Sequence, residues 1–239
     1  MLKFLSLLRS QKIPTLMTVV GFCILFSLGT WQIKRLTWKE ALVKEISERA
    51  KLPSLNAQDM EKLTSSTLVF RVVELKGHFL HAYEMHLQSR LYQGQIGYHL
   101  VTPFETKSGS LLMIDRGWVP LHEHPAIERP LGEVSLKGLV RLPEKPSMFT
   151  PSNQYDQNHL YWISPSEIAE KKYLKNVLPI YLIQIGQNEN GYYPKISNGS
   201  FSLRNLHLSY AITWYSLSII LLIIYGVYIF KKMRYTHRA

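Results

Sequence analysis

The chain has 239 residues and a formal net charge of +11, room for one ordinary domain plus two membrane spans. Seven cations sit in tails without acidic neighbours: Lys3, Arg9 and Lys12 near the start, and Lys231, Lys232, Arg234 and Arg238 near the end. The excess left for the middle is modest, so the balance argues against nucleic acid as a partner and reads as membrane topology instead.

The first uncharged run, residues 13–33, would be about 31 Å long as a helix, the thickness of a hydrocarbon core. Its apolar stretch is too long for a cleaved signal peptide, and no small-x-small site follows. Cys23, the sole cysteine, lies inside it, so whatever folds between the runs does so without disulfides. Trp31 and Trp38 fall where an aromatic belt is expected. Beyond them Trp38, Leu42, Ile46 and Ala50 recur every fourth residue, an apolar stripe on a helix that continues to Pro53. A short helix over 56–61, capped by Asn56, is expected next.

From Phe70 the period changes. Strands are predicted over 71–79, 84–88, 97–104, 111–119, 134–141 and 159–163, with turn signals at Gly94, Ser108-Gly109 and Pro143 between them. Ser164-Pro165-Ser166-Glu167 opens a helix to about residue 175, and 177–185 reads as a further strand. The Asn-, Gly- and Ser-rich stretch 188–200 reads as a linker. The second uncharged run, 206–230, would be about 37 Å long, enough to span with some tilt. Tyr210, Trp214 and Tyr215 mark one end of it, and Tyr225 and Tyr228 the other.

The cations after the second run put the C-terminus on the cytoplasmic (or matrix) side, and two spans carry the N-terminus with it. The expected layout is a cytoplasmic tail 1–12, a first span 13–33, a β-rich extracytoplasmic domain 34–205, a second span 206–230 and a cytoplasmic tail 231–239. The fold class is an α+β membrane protein: two transmembrane helices flank a β-rich domain built as an antiparallel sheet or barrel.

Five blocks stand out in order: Gly29-Thr-Trp31-Gln32-Ile-Lys-Arg35 with Lys39; Gly77-His-Phe79; Gly97-Tyr98 with Thr102-Pro103-Phe104; Asp115-Arg116-Gly117-Trp118-Val119-Pro120; and His207-Leu-Ser-Tyr210-Ala211-Ile-Thr-Trp214. Together they resemble the surfeit locus protein 1 family of cytochrome c oxidase assembly factors, over essentially the whole chain. The sequence departs from that family's pattern at Gln88-Ser89-Arg90, where Gly-Pro-Arg is common, and at Asn205-Leu206-His207, where paired asparagines often precede the histidine. The resemblance implies a non-enzymatic role in maturing the haem-copper oxidase when haem a enters subunit I. Subunit I, haem A synthase and membrane lipid are then the expected partners. Haem a is the expected transient cofactor, with His207 as candidate iron ligand and no other metal.

The residues themselves leave two readings of His207 open. A neutral imidazole at the edge of an uncharged span can ligate haem iron, or it can bond to lipid head groups beside an ordinary aromatic belt. His207, Tyr210, Ala211, Trp214 and Ser218 follow helical spacing and are expected on one face. On the first span Gly21, Gly29 and Gln32 share a face suited to a neighbouring helix, and Arg35 and Lys39 above it suit propionates, lipid phosphates or carboxylates. Trp31, Gln32, Arg35, Arg116, Gly117 and Trp118 are candidates for packing or partner contact, and structural use is the favoured reading of the Arg116-Gly117-Trp118 element.

Other classes find little support. A metal-binding reading would start from His78, His81 and His86, or from His122-Glu123-His124, and neither has a specific ligand spacing. No Gly-x-Ser-x-Gly element or phosphate loop occurs. The alternative function is a two-pass membrane protein whose middle domain binds metal or another protein, unrelated to haem. The short stretch ahead of the first run favours a bacterial inner membrane over a mitochondrial one.

Overall fold

The computed structural model describes residues 11–121, 126–143, 145–186, 192–199 and 206–236. The chain divides into two compact units, Met1–Lys44 with Ser202–Ala239, and Glu45–Phe201.

The first unit holds α1 (Lys12–Ala50) as far as Lys44, and the C-terminal helix α5 (His207–Thr236). Both are long and apolar enough to cross a membrane. The helix of α1 continues past residue 33 to Ala50, as its stripe predicts, but the stripe is not uniform. Ile46 is buried and Leu42 and Ala50 half-buried, while Trp38 is 52 % exposed. Four residues advance a helix by about 400°, so each step of a four-residue repeat drifts about 40°, and Trp38 has rotated off the face.

In the second unit, α2 (Ala57–Lys62) starts at Asn56, whose side chain accepts the Asp59 N–H, and α3 (Ser65–Leu68) follows. Then come β1 (Val72–Phe79), β2 (Met85–Tyr92), β3 (Gln95–Thr106), β4 (Leu111–Pro120), β5 (Val134–Arg141), β6 (His159–Leu160), α4 (Pro165–Lys172) and β7 (Val177–Ile185). The strand order β1-β5-β7-β4-β3, with β3 pairing back to β1 through Gly77↔Thr106 and Phe79↔Phe104, closes a five-stranded barrel. β2 and β6 extend the sheet from the other half of β3.

The expectation of an antiparallel sheet needs correction, because β7 runs parallel to β4 and β6 parallel to β2. The chain reaches β7 through the crossover helix α4, a connection that restores strand direction. β2 also runs further than expected. Its register shifts between Leu87 and Arg90 at Ser89, which takes φ 59°, so a bulge interrupts the alternation in mid-strand. β6 is shorter than the predicted 159–163, and α4 ends at Lys172 because Tyr173 adopts φ 55° and its N–H reaches the Ala169 and Glu170 carbonyls.

Two cores follow from strand parity. Val73, Leu75, Phe104, Leu112, Ile114, Leu136, Val140, Ile180 and Leu182 fill the barrel, joined by Met60 and Leu68 from the short helices. Met85, Leu87, Val101, Met113, Leu160 and Ile168 form a second core that includes β6 and α4. β4 contributes alternate residues to both, so all 10 of its residues are buried.

Candidate functional site

The seam between α1 and α5 is set by small residues. A Cβ on Gly21 would lie 3.1 Å from Leu221, and one on Gly29 would lie 2.8 Å from the Tyr215 ring. One turn beyond Gly29, Gln32 Oε1 meets His207 Nδ1 at 2.7 Å. Gly21, Gly29 and Gln32 therefore all face α5. The Tyr215 hydroxyl also meets Thr30 Oγ1 at 3.1 Å, and its ring centroid lies 5.3 Å from that of Phe26. Nearer the other end, Thr15 bonds Tyr225, and the Tyr228 hydroxyl donates to Gln11 Oε1 at 2.7 Å.

Among the described residues of α5 the buried positions are Ala211, Ser218 and Ile229, with His207, Trp214 and Tyr215 half-buried. Tyr210 is 52 % exposed. The seam follows the i, i+4 step from His207 to Ala211, and the i+3 position falls outside it, so Tyr210 does not share the packed face. Tyr215 does, although its position in the sequence suggests only a belt residue. Trp31 is 56 % exposed, and the Arg35 guanidinium lies 4.0 Å over the Trp38 ring, a cation–π contact within its own helix.

The barrel carries the second group of candidates. Alternation along β4 brings Leu112, Ile114 and then Arg116 to the interior, and the Arg116 side chain is 5 % exposed. Its Nη1 donates to Glu84 Oε2 at 3.4 Å, its Nη2 donates to the Glu128 carbonyl, and its Cζ lies 4.7 Å over the Phe79 ring. Glu84, itself 8 % exposed, also accepts two bonds from Arg129, at 2.7 and 3.1 Å, and one from Thr102 Oγ1 at 3.3 Å. Burial pulls the Arg116 guanidinium below its ordinary value; Glu84 opposes that shift and Arg129 adds to it.

Asp115 faces the other way. Both its oxygens lie within 3.0 Å of His99 Nδ1, and Oδ1 accepts the Gly117 N–H at 3.1 Å. Gly117 takes φ +121°, and a Cβ there would lie 2.2 Å from the Lys195 carbonyl oxygen, so this close backbone approach requires glycine. Trp118 is 2 % exposed, donates Nε1–H to the Arg90 carbonyl at 3.2 Å and packs against Tyr92 and Tyr193.

Arg116, Gly117 and Trp118 thus lead to three different surroundings, and none lies in the same unit as His207. Sequence reading missed Glu84 as the hub: residues 84, 116 and 129 meet only through barrel closure, and no local pattern signals it. His78, His81 and His86 do not converge. His78 is exposed, His81 Nε2 meets the Pro130 carbonyl at 3.0 Å, and His86 packs on Tyr98 and His159. Among the described residues no three His, Cys, Asp or Glu side chains gather as an ion site. His122-Glu123-His124 lies outside the described residues, as do parts of the expected linker, 188–191 and 200.

A family model described as SURF1 family matches residues 19–219. A SURF1-like protein of Monosiga brevicollis is 31% identical over 90% of this chain and 86% of its own length. The surfeit locus protein 1 of Mus musculus is 32% identical over 80% of this chain and 68% of its own. A SURF1-like protein of Rickettsia felis is 29% identical over 89% of this chain and 95% of its own. The matched span starts inside α1 and ends inside α5, taking in the Gln32–His207 pair and the whole barrel, and the chain belongs to the SURF1 family.

Proposed function

We propose that this chain is a non-enzymatic assembly factor for a haem-copper cytochrome c oxidase, which carries or guides haem a into subunit I. In this reading α1 and α5 hold it in an inner membrane. The residues between them lie on the non-cytoplasmic side, in keeping with Lys231, Lys232 and Arg234 at the end of α5. Family membership supports the assembly role.

The observation that carries the haem reading is the Gln32–His207 hydrogen bond. With Gln32 Oε1 accepting, the proton sits on Nδ1 and the ring's lone pair on Nε2, the tautomer suited to an iron ligand. Haem a is cargo here, so its bond must also be broken. A neutral amide orients the imidazole without adding the negative charge by which a carboxylate partner would strengthen the metal bond. Trp214 and the exposed Tyr210 offer flat apolar surfaces within a turn or two of His207. Arg35 is stacked on Trp38 and enters the reading only as a contact for lipid or propionate.

The test is the optical spectrum of detergent-purified protein co-expressed with the enzymes that make haem A, wild type against His207→Ala. A stoichiometric haem a band in wild type, lost in the variant, is the expected result. No band in correctly inserted wild-type protein would overturn haem carriage and leave the assembly role to contacts with subunit I.

A further inference from the structure

The seam between α1 and α5 closes where Gly21 faces Leu221, since a Cβ on Gly21 would lie 3.1 Å from that side chain. Toward the Lys12 end small residues give way to rings. Tyr225 bonds Thr15 and the Tyr228 hydroxyl donates to Gln11, so two phenols stand between the helices. They leave a groove of about 320 Å³, walled by Pro14 and Thr18 of α1 and by Leu221, Ile224, Tyr225 and Tyr228 of α5. The α5 wall is a single helix face, because Leu221, Ile224, Tyr225, Tyr228 and Lys232 follow i, i+3, i+4, i+7 and i+11.

The hydroxyls of this lining are already bonded within the helix pair. Thr18 Oγ1 donates to the Pro14 carbonyl at 2.8 Å, Tyr225 is bonded to Thr15 and Tyr228 to Gln11. What remains for an occupant is methyl groups and ring faces, so the groove suits hydrocarbon and offers little to the propionates of a porphyrin. Inside a bilayer an acyl chain fills such a groove, because an unfilled one forfeits the dispersion contacts of its walls. The stretch from Leu221 to Tyr228 covers about 10 Å of helix, room for a linear chain lying along the axis.

One end of this face is charged. Lys232 comes one turn after Tyr228, with its Nζ 5.8 Å from the centre of that ring, and Lys231 and Arg234 are exposed beside it. Residues 1–39 and 206–239 contain no Asp or Glu, so no carboxylate side chain of these segments competes for the cations. An apolar groove that leads into cations matches a lipid whose head is anionic. We propose that the α1–α5 groove binds an anionic phospholipid, with one acyl chain between the two helices and its phosphate on Lys232. This site presupposes that α1 and α5 cross the membrane, and it shares no residue with the Gln32–His207 pair.

The full chain is reconstituted in phosphatidylcholine vesicles that carry a trace of photoreactive lipid, with a diazirine in mid-chain. The trace lipid is phosphatidylglycerol in one set and phosphatidylcholine in the other, and the labelled peptides are mapped. Label from phosphatidylglycerol is expected to concentrate on residues 14–18 and 221–228. It should exceed label from phosphatidylcholine about fivefold, the attraction of one lysine for an anionic head group. Lys232→Gln should remove that excess. Ile224→Trp, at a position 62 % exposed, fills the groove and should lower the label from both lipids. Equal labelling of wild type by the two lipids, or label spread evenly along α1 and α5, would overturn the proposal, even where neither variant inserts. An alkaline carbonate wash separates this failure from failure of the membrane reading beneath it. A chain that washes off the vesicles has no spans, and the site falls with them; a retained chain without preferential label loses only the lipid site.

Discussion

The helix pair and the barrel handle buried polar side chains in different ways. Along the α1–α5 seam half-buried side chains pair across the helices at separate levels: Thr15 with Tyr225, Thr30 with Tyr215, Gln32 with His207. In the barrel they gather at one end, where Glu84 alone serves Arg116, Arg129 and Thr102. Bridges of the first kind are individually weak, since unpaired helices in lipid find other partners for the same groups. A network of the second kind is costly to break, because removing one member strands a charge in a low-dielectric interior. The seam can therefore change partners at small cost, as the proposed handling of cargo would require, while the barrel mouth holds its shape.

Glu84→Ala should have the largest effect. It leaves the Arg116 guanidinium buried with only the Glu128 carbonyl as acceptor, and the loss of one partner of a buried pair costs about 3–5 kcal/mol. Denaturant unfolding of the full chain, followed through the fluorescence of the buried Trp118, measures it. A loss below about 1 kcal/mol would mean that the cluster behaves like a surface pair, and the contrast with the seam would collapse.

One substitution made in both units sharpens the comparison. Gly117→Ala places a Cβ against the Lys195 backbone at a φ that side chains resist, and should cost about 3 kcal/mol. In Gly21→Ala the new methyl meets the far end of the flexible Leu221 side chain, so the cost should be about 1 kcal/mol or less. Parallel unfolding curves read both, and equal losses would show the seam to be as rigid as the barrel.

The seam was the more legible of the two in the sequence. Gly21, Gly29 and Gln32 recur at helical spacing, and a helix has one period, so the face they form could be read without a structure. The same rule puts Tyr210 on the face of His207, Ala211 and Trp214, and packing leaves it exposed at the edge of that face, because positions three and four residues on are near-equivalent on paper. In the barrel, strand positions from alternation were close, and β5 and β7 fell where expected. The parallel β4–β7 pairing and the meeting of Glu84 with Arg116 were out of reach, because both depend on closure between segments distant in the chain. Arg116 was singled out with Gly117 and Trp118 as one element, yet alternation sends its side chain into the barrel while the backbone of Gly117 meets Lys195.

Gln32→Leu tests the other half of the comparison. Losing one inter-helix hydrogen bond should weaken the α1–α5 association by about 0.6–1.7 kcal/mol, read from energy transfer between dyes on the two helices in detergent. If haem a binds as proposed, the same variant should lower haem occupancy without abolishing it, since His207 remains but is no longer oriented. Full occupancy in Gln32→Leu would remove the bridge from the functional reading.

The smallest expected effect is a pH dependence confined to the barrel unit. His86 is half-buried, with its ring 4.4 Å from Tyr98 and 6.2 Å from His159. Burial pulls its pKa below the ordinary imidazole value; Glu84 opposes the shift, and His159 and Arg129 reinforce it. The folded state then binds fewer protons than the unfolded state in the window between the lowered value and the unfolded value of about 6.5. The stability this contributes is present above about pH 6.5 and is lost as pH falls through the folded value. The unfolding midpoint should therefore hold steady near neutrality and decline on mild acidification. The informative quantity is the difference between wild type and His86→Phe, which keeps the stack on Tyr98 and removes the charge. A shallower acid decline in the variant assigns the slope to His86. An unchanged decline would take the slope away from His86, and a wild-type midpoint that rises on acidification would mean that attraction to Glu84 outweighs burial at this position.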